Sequence, residues 1–339
     1  MTVRLGRIVL RTHRRILLTG ALLAAATLLA AGAGLLLGDY PLAPGELVRA
    51  LLGIGQDPLA RFFVQEQRAP RVVTAMLVGA ALGVSGAVFQ SLSGNPLGSP
   101  DIIGFTVGAA TGALLQIIVF DTGPLGIAAG AVLGGFATAV LVYALAWRQG
   151  LAGFRLVLVG VGIAAVLQGV NSLLIVRASL EAAQTAAQWL AGSFNATTWS
   201  EALTVLAAVL VLLPAAFLLA RPLAVMAMGD DLATGLGVRV ERRRLQLVLV
   251  GVALVSLAVA AAGPIAFIAL AAPQLARRLT RTGAPGMGTT ALMGALLVLC
   301  SDIIAQRLFA PTQLPVGVVT GTLGGVYLIW LLAREGRRQ

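Results

Sequence analysis

Apolar residues run through this chain in long blocks, broken by short polar stretches rich in arginine, glycine and proline. A helix needs roughly 20 mainly apolar residues to cross a hydrocarbon core. The pattern predicts ten such spans, near 16–38, 72–92, 102–120, 124–146, 154–176, 202–220, 245–262, 263–278, 289–309 and 315–333. The span at 102–120 is weakened by glycines and that at 263–278 is short. The first span is too long for a signal peptide and lacks a small-residue cleavage site, so it is expected to be retained. The expected fold is an all-α integral membrane bundle of about ten helices, with residues 1–339 forming one transmembrane domain.

Composition agrees. The chain is 58% hydrophobic and 11% charged, against roughly 25% charged in a soluble domain. The net charge of +11 does not call for a nucleic acid, because basic residues of membrane proteins gather in cytoplasmic loops. With ten spans and the N-terminus inside, only Arg49, Arg61, Arg68, Arg71, Arg177 and Arg307 of the 24 arginines fall outside, and both termini are cytoplasmic. Residues 39–69 then form an extracytoplasmic segment with an amphipathic stretch at 47–52. Residues 221–244 form a basic cytoplasmic segment.

Several chemistries are excluded. There is no lysine, so no P-loop or Schiff-base lysine. His13 is the single histidine and Cys300 the single cysteine, which removes His-ligated metals, disulfides and catalytic triads. No metal or cofactor site is expected. Glycines recur four apart at Gly79/Gly83, Gly104/Gly108/Gly112, Gly126/Gly130/Gly134 and Gly317/Gly321, a spacing that lets helices approach closely in lipid. Asp302 is the clearest intramembrane charge. Arg307 is its expected partner, although five residues is poor helical spacing.

Residues 68–104, RAPRVVTAMLVGAALGVSGAVFQSLSGNPLGSPDIIG, carry a more specific signal. They resemble the opening motif of the FecCD/BtuC-type permeases of ABC importers. Further blocks follow in the family's order: Trp189, Gly192, Ser193 and Trp199; MGDDLATGLG at 228–237; GPIAFIALAAPQLAR at 263–277; and QLPVGVVTGTLGGVYLIWLL at 313–332. Ala269, Gln274, Gln313 and Val326 stand where that family often has Gly, His, Glu and Pro. Gln306 stands where it places an arginine. The variants look most like the paired permeases of catecholate-siderophore importers.

That resemblance implies a BtuC-like type II permease in a bacterial inner membrane. It implies partner ATP-binding subunits that use ATP and Mg, a second and non-identical permease, an extracytoplasmic binding protein and a ferric siderophore as cargo. Arg68, Arg71 and Arg307 match docking positions for the binding protein. Gly229, Asp230, Asp231, Ala233, Leu236 and Gly237 match the segment that meets the ATPase. Gln90, Asn95, Pro96 and Pro100 match the translocation path near its cytoplasmic exit. Cobalamin or haem is the alternative cargo. A secondary carrier run by an ion gradient is the rival from another class, weakened by the scarcity of intramembrane acids.

Overall fold

The computed structural model describes residues 2–5, 8–11, 14–38, 40–54, 57–147, 153–281 and 286–335. His13 and, of the arginines used in the topology, Arg7, Arg148, Arg337 and Arg338 lie outside the described residues. A short antiparallel hairpin pairs Thr2–Leu5 (β1) with Ile8–Arg11 (β2). All other regular elements among the described residues are helices. The long helices are α1 (Arg14–Leu36), α4 (Ala69–Ser93), α7 (Pro124–Ala146), α8 (Gly153–Arg177), α10 (Trp199–Met226), α12 (Val240–Ala262) and α14 (Met287–Arg307). Shorter ones are α2 (Pro44–Leu51), α3 (Pro58–Phe62), α5 (Pro100–Ile103), α6 (Phe105–Ile118), α9 (Leu180–Leu190), α11 (Asp230–Gly235), α13 (Ile268–Thr280) and α15 (Val316–Glu335).

Each of the ten expected spans coincides with a helix, but they are unequal. Seven helical stretches are long and apolar enough to cross a membrane, with shorter apolar helices at 105–118 and 316–329. The span expected at 263–278 is corrected most. Residues 264–267 are not helical, and the 13 residues of α13 reach only about 20 Å. Phe267, at the junction, has φ +69°, a left-handed conformation uncommon outside glycine. Non-helical backbone at membrane depth is tolerated where protein encloses it. Here Ile265 is buried, Pro264 and Phe267 are half-buried and Ala266 is exposed, so protein covers one side of the stretch.

The outer segment is also more helical than a loop. Residues 58–93 run as one helical stretch, with a π-helical section at Phe63–Arg68. Helix α10 continues through Pro214 and Pro222 to Met226, so the first part of residues 221–244 is helical and continuous with α10.

Packing is centred on α4, most of whose side chains are buried. By contrast α1 and α8 expose Leu22, Leu28, Leu29, Val166, Leu173 and Val176, as lipid-facing helices do. Glycines close the crossings. Gly79 lies against the main chain of Gly294 on α14, and Gly83 against that of Thr290. Gly112 meets Gly130 and Gly134 where α6 crosses α7, and Gly317 meets the carbonyls of Ala191 and Pro264. Two glycines of the expected series do not pack this way: Gly126 faces its own neighbour Thr122, and Gly321 faces open space. Cys300 is free and exposed on α14, two residues from the buried Asp302.

Candidate functional site

At the end that the arginines assign to the outside, Asp302 is held by Arg71, not by Arg307. Arg71 Nε and Nη2 approach the carboxylate at 2.9 and 2.8 Å. Its Nη1 donates to Asn195 Oδ1 at 2.9 Å and Gln313 Oε1 at 3.0 Å. Gln306 Nε2 donates to Asp302 Oδ2 at 2.8 Å. One guanidinium thus ties together the start of α4, the end of α14 and the two connections that precede α10 and α15. The side chains are 13% and 3% exposed, so this is a largely desolvated, bidentate pair.

Arg68 is turned inward as well. Its guanidinium donates to the carbonyls of Leu35, Leu36 and Tyr40, the first two in the last turn of α1, where the helix leaves acceptors unsatisfied. Arg71, matched to a docking position, thus makes a bidentate bond to a carboxylate of its own chain. Arg307 is half-buried and has no side-chain hydrogen bond or ion pair among the described residues. Beneath this rim Tyr40 donates to Asp57 Oδ2 at 2.6 Å, which pushes the phenol pKa up and the carboxyl pKa down. Trp199 Nε1 donates to the Gln65 carbonyl at 2.7 Å.

At the opposite end, the residues matched to ATPase coupling sort into inward and outward sets. Gly229 and Gly237 have φ of +116° and +82° with open space where a side chain would be, so they bend the backbone at both ends of α11. Ala233 is fully buried within the chain. Asp230 faces Arg244, which bonds both its oxygens at 2.9 and 2.8 Å and also Glu241 Oε1 at 2.9 Å. Arg244 is buried, and it pins α11 to the start of α12. Asp231 and Leu236 face outward. With Leu236, 63% exposed, stand Met228 and Leu232, 67% and 47% exposed. Leu232 on α11 and Leu236 at its end are one helical turn apart, while Met228 precedes the helix across the non-helical Gly229; all three are exposed and apolar. Sequence reading missed Met228, Leu232 and the role of Arg244; the four-residue spacing of Leu232 and Leu236 was a signal for those two, but Asp230 lies 14 residues from Arg244, beyond any local pattern.

The residues matched to the path meet where α4 ends against α13. Gln90 Nε2 donates to the Leu270 carbonyl at 3.0 Å. Asn95 Oδ1 accepts from its own turn at Leu97 N, 2.9 Å. Pro96 is exposed, and its carbonyl accepts from Gln274 Nε2 at 2.7 Å. Pro100 is buried at the start of α5. Beside them on α5 lies Asp101, which the sequence reading did not single out. Its Oδ1 accepts from Thr106 Oγ1 at 2.6 Å, while Oδ2 is buried without a partner. A buried orphan acceptor carries a desolvation cost that removal of the charge relieves. Asp101→Asn is therefore expected to keep its thermal midpoint in detergent. Asp101→Leu, which strips Thr106 of its acceptor, should lose about 1–3 kcal/mol. Equal midpoints for the two would refute this account.

A family model described as the FecCD transport family matches residues 22–334. The chain belongs to this family. It is 48% identical over 326 residues to the ferric enterobactin transport system permease FepG of Escherichia coli K12, covering 96% of this chain and 98% of that one. It is 39% identical over 306 residues to the achromobactin transport system permease CbrC of Dickeya dadantii, covering 89% and 87%. A solved metal-chelate-type ABC transporter in an inward-facing conformation superposes with TM-score 0.82 at 28% identity, covering 93% and 98%. This FecCD-family chain is accordingly a multi-pass membrane protein with the fold of an ABC importer permease, a transport component. Two departures from the family pattern now meet in one place. Gln306 and Gln313 both join the Arg71–Asp302 network, one on each partner. Replacing the pattern's Arg and Glu by two glutamines removes one charge of each sign and leaves the network neutral.

Proposed function

We propose that this permease moves a ferric siderophore into the cytoplasm by alternating access, driven by separate ATP-binding subunits that hydrolyse Mg-ATP. Both termini lie in the cytoplasm and the membrane is the bacterial inner membrane. A non-identical second permease completes the channel, and an extracytoplasmic binding protein delivers the chelate. The observation that carries this reading is the near-full-length similarity to siderophore permeases, joined to exposed apolar residues on and beside a short helix pinned at the other end of the bundle. The chelate arrives with its iron already ligated, which suits a chain without histidine or cysteine ligands.

Exposed Met228, Leu232 and Leu236 form the surface that enters a groove of the ATPase, with Gly229, Asp231 and Gly237 at its margins. Asp230, Ala233 and Arg244 hold α11 in place, so force applied to that surface passes into α12. At the outer mouth, Arg307 is the residue open to an acidic docking partner, while Arg68 and Arg71 build the rim on which it stands. Gln90, Asn95, Pro96 and Pro100 shape the inner exit.

Leu236→Glu is expected to leave the purified permease folded while siderophore uptake in proteoliposomes falls by about tenfold or more, since a charge placed in an apolar interface centre is costly. Stimulated ATPase should fall with it. Undiminished uptake and ATPase in that variant would refute the coupling assignment. Affinity purification from native membranes should recover a Walker-motif ATPase and a different permease. Absence of any ATPase after mild cross-linking would favour a secondary carrier.

A further inference from the structure

Arginines at the proposed cytoplasmic end fall into two groups that the fold treats differently. On α12, Arg244 is engaged by Asp230 and Glu241, and Arg243 donates to Gln246 at 3.0 Å. The second group lies where the start of α1 meets the end of α13. Arg14 and Arg15 open α1, and Arg277, Arg278 and Arg281 close α13. Arg15 Nε donates to the Leu279 carbonyl at 3.1 Å, which holds the two helix ends side by side. Arg278 lies over the Tyr327 ring, 6.0 Å from its centre. Arg14, Arg15, Arg277 and Arg281 have no ion pair among the described residues. The sequence supplies none nearby, since residues 1–38 and 263–301 contain no Asp or Glu.

Like charges gathered by the fold repel one another unless an anion joins them. Arg14, Arg15 and Arg281 are exposed, so an anion can reach them. Leu17, Leu18 and Leu279, on the same two helix ends, are exposed and apolar. A cationic cluster bordered by an apolar wall between two membrane helices matches a molecule with an anionic head and hydrocarbon tails. The Arg15–Leu279 bond also covers a carbonyl at the negative end of α13 that would otherwise oppose a phosphate.

We propose that the α1–α13 junction is a binding site for an anionic phospholipid, its phosphate among Arg14, Arg15 and Arg281 and its acyl chains over Leu17, Leu18 and Leu279. The bound lipid bridges a helix that mostly faces lipid to the half-length helix α13, and so steadies the element beside the inner exit. This does not depend on the identity of the transported chelate.

The test uses the purified full chain in a neutral detergent, with phosphatidylglycerol, phosphatidylcholine or glycerol 3-phosphate added. Native mass spectrometry should show phosphatidylglycerol retained about tenfold over phosphatidylcholine, with a matching rise in thermal midpoint. The triple variant Arg14→Gln/Arg15→Gln/Arg281→Gln should lose that preference, and Arg242→Gln/Arg243→Gln should keep it. If the triple variant is poorly folded, Arg281→Gln alone should give an intermediate preference. Equal retention of the two lipids, or an unchanged preference in both Arg281 variants, would overturn the site in favour of diffuse surface attraction. Equal stabilisation by glycerol 3-phosphate would show a free-phosphate site instead of a lipid site. Loss of ATPase co-purification in the variants with lipid preference intact would assign the arginines to a protein partner.

Discussion

Arg71→Ala is expected to lower stability by about 3–5 kcal/mol, enough to deplete folded permease from detergent extracts. The removal strands Asp302, 3% exposed, with Gln306 as its remaining side-chain partner. It also frees the acceptors on Asn195 and Gln313. A buried pair contributes little over an apolar replacement, but half of one is costly. Arg71→Met/Asp302→Leu should therefore recover much of the loss. Thermal unfolding monitored by size-exclusion fluorescence separates the cases. A wild-type midpoint for Arg71→Ala, with only binding-protein docking impaired, would return Arg71 to a docking role and refute the clasp. The same network makes a finer statement. Gln306→Arg alone and Gln313→Glu alone each unbalance its charge, and the double variant restores neutrality, so the double should be more stable than either single.

Gly86→Val is expected to cost about 3 kcal/mol or more. A side chain at Gly86 would run into the main-chain carbonyl of Ala269, at the start of α13. Overpacking of a core typically costs ~1–3 kcal/mol, and backbone yields less readily than a side chain. Because the obstruction is the carbonyl, Ala269→Gly should not rescue the variant. Gly321→Val, which meets nothing within 4 Å, should change the midpoint by less than about 0.5 kcal/mol. Rescue by Ala269→Gly, or equal effects of Gly86→Val and Gly321→Val, would contradict the crossing described here.

The helices were legible because each apolar run is an independent signal, and lipid allows few alternatives to a helix. The family blocks located both ends of the molecule for the same reason of local order. What escaped was set by distance along the chain. The partner of Asp302 lies 231 residues away, and nothing in the spacing around Asp302 points to Arg71 instead of the nearer Arg307. The burial of Asp101 depends on α8, against which α5 packs from more than 50 residues along the chain, and no local pattern encodes that. The break before α13 was hidden because Ile265, Phe267 and Ile268 are as apolar as a helix would be, and only Gly263 and Pro264 mark the extended stretch. The intrachain bonds of Arg68 were hidden for a related reason: an arginine at a helix end reads alike in sequence whether it faces solvent or, like Arg68, bonds the carbonyls of another helix.

Cys300 gives the permease a built-in reporter. As the chain's one thiol, exposed on α14 a short step from Asp302, it accepts a single spin label or environment-sensitive fluorophore without prior removal of other cysteines. A small, membrane-permeant reagent suits it, because it sits within the apolar run of α14. Such a label would follow the outer end of α14 through the transport cycle, and a change in its mobility on adding binding protein would time the opening of the Arg71 clasp.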